Sequence, residues 1–74
     1  MTDRDTLIRY LRGAATHARE TGQLQEVSLE FLVDITEAGV VLELPANGRD
    51  PERLSAAQCE RYASQLLNQE PDRG

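Results

Sequence analysis

Between Val27 and Leu44 the large apolar residues fall on alternate positions: Val27, Leu29, Phe31, Val33 and Ile35, then Val40, Leu42 and Leu44. A period of two marks a half-buried strand, because successive side chains point to opposite faces of the pleat. The gap Thr36-Glu37-Ala38-Gly39 has the length of a hairpin loop, and Gly39 suits a left-handed position at its end. The spacing predicts a hairpin with strands over about residues 26–35 and 40–45. Val33 opposite Leu42 and Phe31 opposite Leu44 keeps the apolar set on one face. A slip of one residue would put Glu43 inside, which fixes the register.

The same alternation sends Glu26, Glu30, Asp34 and Glu43 to the other face, with Glu37 at the turn. Residues 24–47 carry those five acids and no Lys or Arg. Leu32 and Val41 break the polar face. As cross-strand neighbours they would form an exposed apolar centre within a charged ring, the arrangement of a binding hot spot. The candidate partner-binding set is therefore Glu26, Glu30, Leu32, Asp34, Glu37, Val41 and Glu43. Alternate acids on a strand repeat at about 6.6 Å, a row that a groove built for phosphates could accept under long-range attraction. A solvated strand face, made negative to discourage aggregation at open edges, accounts for the same charges.

Helical patterns flank the hairpin. Thr2 and Asp5 stand at capping-box spacing, and Leu7, Ile8, Leu11, Ala14, Ala15 and Ala18 form one stripe. Gly22 is a natural stop after Arg19, so a helix is expected over about residues 3–20. Ser55 and Gln58 form a second capping box, Leu54 can staple onto Cys59, and Cys59, Tyr62, Ala63 and Leu66 share a face. A second helix is expected over about residues 55–68, with a frayed tail at 69–74. The expected fold is one small α+β domain, α-β-β-α, with an antiparallel hairpin and two helices on one of its faces. Pairing of hairpin edges between two copies would make a four-stranded sheet across a homodimer.

Seventy-four residues make a marginal core, and no staple supports it. Cys59 is the single cysteine and His17 the single histidine, so neither a disulfide nor a zinc site is available. Thirteen acids against eight bases, all of them Arg, give a net charge of −5. That sign opposes direct nucleic-acid binding, which needs surplus cations. Arg9, Arg12 and Arg19 on the first helix lack the aromatic platform or helix-turn-helix spacing that would alter the conclusion. No apolar run reaches the roughly 18 residues of a membrane span, and no secretory signal is visible, so a cytoplasmic location is expected.

Catalysis finds no support. On one strand, Glu30 and Asp34 would stand about 13 Å apart, and no nucleophile–base pair or phosphate loop accompanies them. A flat strand face also lacks the ligand number of a Mg²⁺ or Ca²⁺ cage, so neither metal nor cofactor is expected. His17 reads as a surface residue and Cys59 as a buried, inert thiol.

In length, acidic balance, lack of catalytic motifs and compact α/β pattern, the chain resembles the small phage-encoded inhibitors of the anti-CRISPR type. The likeness is one of type, and no motif or site residue carries over. It implies a stoichiometric inhibitor in the host cytoplasm that occupies the DNA-binding groove of a surveillance complex. The expected function is thus a non-catalytic protein-binding inhibitor whose acidic surface blocks a basic, nucleic-acid-binding groove. The alternative is a small dimeric structural or regulatory subunit pairing through its exposed hairpin edge.

Overall fold

The computed structural model describes residues 3–45 and 48–68. Its elements are α1 (Arg4–Thr21), β1 (Gln25–Glu26), α2 (Leu29–Glu37), β2 (Arg53–Leu54) and α3 (Ala56–Asn68). Three helices and a two-stranded antiparallel sheet make a small α+β fold.

α1 begins after Asp3, whose side chain makes no capping bond; Thr2, the expected cap, lies outside the described residues. Asp5 sits in the first turn and Arg19 in the last, each favourable to the helix dipole. Gly22 ends the helix at φ 72°, its N–H donating to the Ala18 carbonyl. α3 opens with the capping box that Ser55 and Gln58 imply. The Gln58 N–H donates to Ser55 Oγ (3.1 Å), and the Ser55 N–H donates to Gln58 Oε1 (3.2 Å). The tail at 69–74 lies outside the described residues.

The middle of the chain departs from the expected hairpin. Residues 29–37 are helical, residues 40–45 join no sheet, and the element order is α-β-α-β-α. The sheet instead pairs Gln25 with Leu54 and Glu26 with Arg53, and the Val27 N–H extends it by donating to the Glu52 carbonyl (2.8 Å). Three local causes favour the helix. Ser28 caps it, its Oγ accepting from the Phe31 N–H at 3.0 Å. Phe31, Leu32 and Ile35 recur at helical spacing and bury one face, so the apparent break at Leu32 is the helical stripe itself. The end is a Schellman stop: the Gly39 N–H donates to the Thr36 carbonyl and the Val40 N–H to the Ile35 carbonyl, with Gly39 at φ 109°. Val40 and Ile35 are both buried, as that motif's hydrophobic contact requires.

One core unites these elements. α1 contributes Leu7, Leu11 and Ala15, and α3 contributes Cys59, Tyr62 and Leu66, packed helix on helix. Leu32 and Ile35 enter from α2, with Val27, Val40 and Leu54 from the connecting segments.

Candidate functional site

At about 100° per residue, Leu29, Val33, Glu37, Glu30 and Asp34 fall in that order across about 140° of one face of α2. Phe31, Ile35 and Leu32 occupy the opposite side. The outward face therefore grades from apolar to acidic. Leu29 is 60 % exposed and Val33 53 %, whereas Leu32 is 5 % exposed. A strand would place Leu29 and Val33 inside and Leu32 outside; helical winding reverses all three. Leu32 is a core residue and cannot anchor a partner.

The other expected positions divide. Glu30, Asp34 and Glu37 share the α2 face, Glu30 and Glu37 exposed and Asp34 half-buried. Glu26 stands on β1 opposite Arg53 in the ladder, so it faces a cation across the pair. Val41 is 73 % exposed. Glu43 is removed from the acidic set by Arg61, whose Nε and second terminal nitrogen each donate to its carboxylate at 2.7 Å. That bidentate hydrogen bond holds the Glu43 carboxyl below its ordinary range, against the upward push of burial. The flat negative sheet face does not form. What remains is a three-carboxylate stripe on a helix.

Two concavities flank that stripe. One, of about 230 Å³, lies between α1 and α2, with Tyr10, Phe31, Glu30 and Asp34 among its lining residues. The Tyr10 and Phe31 rings meet there with centroids 4.6 Å apart and planes tilted by 52°. The other, of about 320 Å³, is almost wholly apolar and is lined by Leu29, Val33, Leu42 and Pro51, with Glu37 on its edge. Sequence reasoning missed Leu29, Val33 and Leu42 because the strand register turned them inward. A helical wheel drawn from Ser28 would have exposed the first two.

The segment after α2 crosses α3. Gln58, Tyr62 and Gln65, at helical spacing on α3, hold its backbone with side chains. The Val41 N–H donates to Gln65 Oε1 (2.9 Å) and Gln65 Nε2 donates to the Val41 carbonyl (3.1 Å). The Glu43 N–H donates to the Tyr62 hydroxyl (2.9 Å), and Gln58 Nε2 donates to the Leu44 carbonyl (2.8 Å). A strand expected to pair with residues 26–35 is thus supported by a helix instead.

A third concavity, of about 430 Å³, runs between α1 and α3 past Arg12, Arg19, Glu60 and Ser64. Arg19 forms an ion pair with Glu60, so that cleft carries both signs of charge. His17 is exposed. Cys59 is fully buried, and burial pushes its thiol up to about 11. It is therefore protonated and unreactive at neutral pH. Among the described residues no three His, Cys, Asp or Glu side chains are grouped to hold a metal ion. Among the same residues no helix is long and apolar enough to cross a membrane. Comparison with protein-family models, curated proteins and solved structures finds no match for this chain.

Proposed function

We propose that this protein is a non-catalytic, protein-binding inhibitor that uses the outward face of α2 to occupy a basic, nucleic-acid-binding groove of its target. One observation carries the reading: Glu30, Asp34 and Glu37 line a helix face beside exposed Leu29 and Val33, in a stretch without a Lys or Arg. Successive carboxylates on that stripe advance about 6 and about 4.5 Å along the helix axis, close enough for one row of Arg and Lys to engage them all. The apolar flank supplies the desolvated centre and the carboxylates the charged border, a division common to protein interfaces. The specific form suggested by size and acidity is a phage-encoded inhibitor of the anti-CRISPR type, acting in the host cytoplasm on a surveillance complex.

The test is a binding series with the partner recovered by pull-down. Replacing Glu30 and Glu37 together by Lys leaves the fold intact, because both side chains are exposed, and abolishes binding. Binding by the native chain falls steeply as salt rises, since exposed charges beyond a Debye length are screened. Full-strength binding by the Glu30→Lys/Glu37→Lys chain would sink the reading.

A second reading, the small dimeric structural or regulatory subunit, draws on the open edges of β1, β2 and the 40–44 segment. Two copies meeting edge to edge at their short ladders would complete a four-stranded sheet. The net charge of −5 on each copy works against it.

A further inference from the structure

The Val41 and Glu43 N–H groups, two residues apart, both turn toward α3. Leu42 lies between these two anchored residues, and the Leu44 carbonyl beyond it is held on α3 as well, by Gln58 Nε2. Neither the N–H nor the C=O of Leu42 has a hydrogen-bond partner among the described residues, and the Leu42 side chain is exposed. Backbone N–H and C=O groups left without a partner at the surface pair readily with an extended chain. Beside Leu42 lies the apolar groove formed with Leu29, Val33 and Pro51, bordered by Glu37.

Backbone pairing, an apolar slot and a negative border together describe a single occupant. We infer that the Leu42 edge accepts an extended, basic peptide segment of a partner protein as an added strand. An apolar side chain of that segment enters the groove, and its Arg or Lys neighbours face Glu37 on the border. The inference rests on the reading above for the sign of the peptide's charge, and on the 40–44 backbone for the mode of contact. A helix could not use the Leu42 N–H and C=O. A second copy of this chain would bring another −5 to the same edge.

The test titrates the full-length, ¹⁵N-labelled chain with a capped peptide alternating arginine and valine over seven residues. A second peptide of the same sequence is N-methylated at every residue. In the complex, exchange of the Leu42 amide slows by about tenfold or more, and the methylated peptide binds at least about tenfold more weakly, because the added strand has lost its donors. Unchanged Leu42 exchange in the bound state, equal affinity for the two peptides, or no binding of the unmodified peptide would each overturn the inference. So would a protein that is dimeric without peptide in sedimentation equilibrium, with Leu42 already protected, since the occupant would then be a second copy. The Glu30→Lys/Glu37→Lys chain separates the two proposals. If it keeps a protected Leu42 and full affinity, strand addition stands and the acidic reading fails. If it loses affinity while methylation has no effect on the native chain, the acidic reading stands and strand addition fails.

Discussion

α1 and α3 differ from the middle of the chain in how much local information each carries. α3 spans 13 residues and α1 18, so an apolar stripe repeats several times in each, and both have polar or glycine signals at their ends. α2 has nine residues, about two and a half turns. Over so short a span, apolar residues at 29, 31, 32, 33 and 35 satisfy a period of two and a period of 3.6 at once. Amphipathic pattern decides a long element; caps and stops decide a short one. Here Ser28 and the Gly39-Val40 stop decide.

The sharpest way to break this comparison is to mutate adjacent residues on α2. Leu32→Ala removes a core side chain and is expected to cost about 2–5 kcal/mol in urea unfolding. Val33→Ala trims a side chain that is already exposed and should change stability by no more than about 0.5 kcal/mol. A strand would reverse the two results, because Val33 would then be the buried one. Any outcome in which Val33 is the costlier deletion removes α2 from the fold.

Much of the architecture was therefore legible, and the losses share one physical source. The stop at Gly22, the Ser55–Gln58 capping box, and the burial of Leu11, Cys59, Tyr62 and Leu66 follow from residue type and spacing alone. The positive φ at Gly39 was also visible, but its setting was not: the same glycine ends a hairpin loop or a helix, and only Val40 behind it favours the second. The actual ladder, which joins Gln25–Glu26 to Arg53–Leu54, involves two residues on each side. Neither pair has a pattern of its own, and their meeting is imposed by the helices around them. For the site, Glu30, Asp34 and Glu37 come together because positions four and three apart adjoin on a helix, whereas a strand would space Glu30 and Asp34 about 13 Å apart and leave Glu37 in the turn. Leu32 did not survive, and neither did Glu43, whose partner Arg61 lies 18 residues away on α3.

Glycines test the same contrast with a smaller effect. Gly39 holds φ 109° at the end of α2, so Gly39→Ala forces a side chain into left-handed space and should cost about 1–2 kcal/mol. Gly13 lies within α1, and a Cβ built there meets nothing within 4 Å. Gly13→Ala should therefore stabilise by about 0.5–1 kcal/mol through helix propensity and reduced freedom of the unfolded chain. Thermal unfolding of the two variants should shift the midpoint in opposite directions. A destabilised Gly13→Ala chain would mean that α1 is not the regular helix described, and a neutral Gly39→Ala chain would remove the Schellman stop.

The smallest effect concerns pH and the tie between the two regions. Arg61 on α3 holds the Glu43 carboxyl below the ordinary value, mainly through the bidentate hydrogen bond. The folded state thus binds that proton less readily than the unfolded chain. The contribution is fully present above the unfolded carboxyl value and disappears as pH falls through the lower, folded one. Both partners are partly solvated, with side-chain exposures of 56 % for Arg61 and 29 % for Glu43, so water screens the tie and its contribution is small. Stability of the native chain should fall more on acidification than that of Glu43→Gln, whose amide cannot titrate. The difference between the two curves isolates this carboxyl from the other acids, which titrate in both chains. Curves that run parallel through the acid range would show that Arg61 does not clamp the 40–44 segment. The Leu42 edge would then be held in place by Gln58, Tyr62 and Gln65 alone.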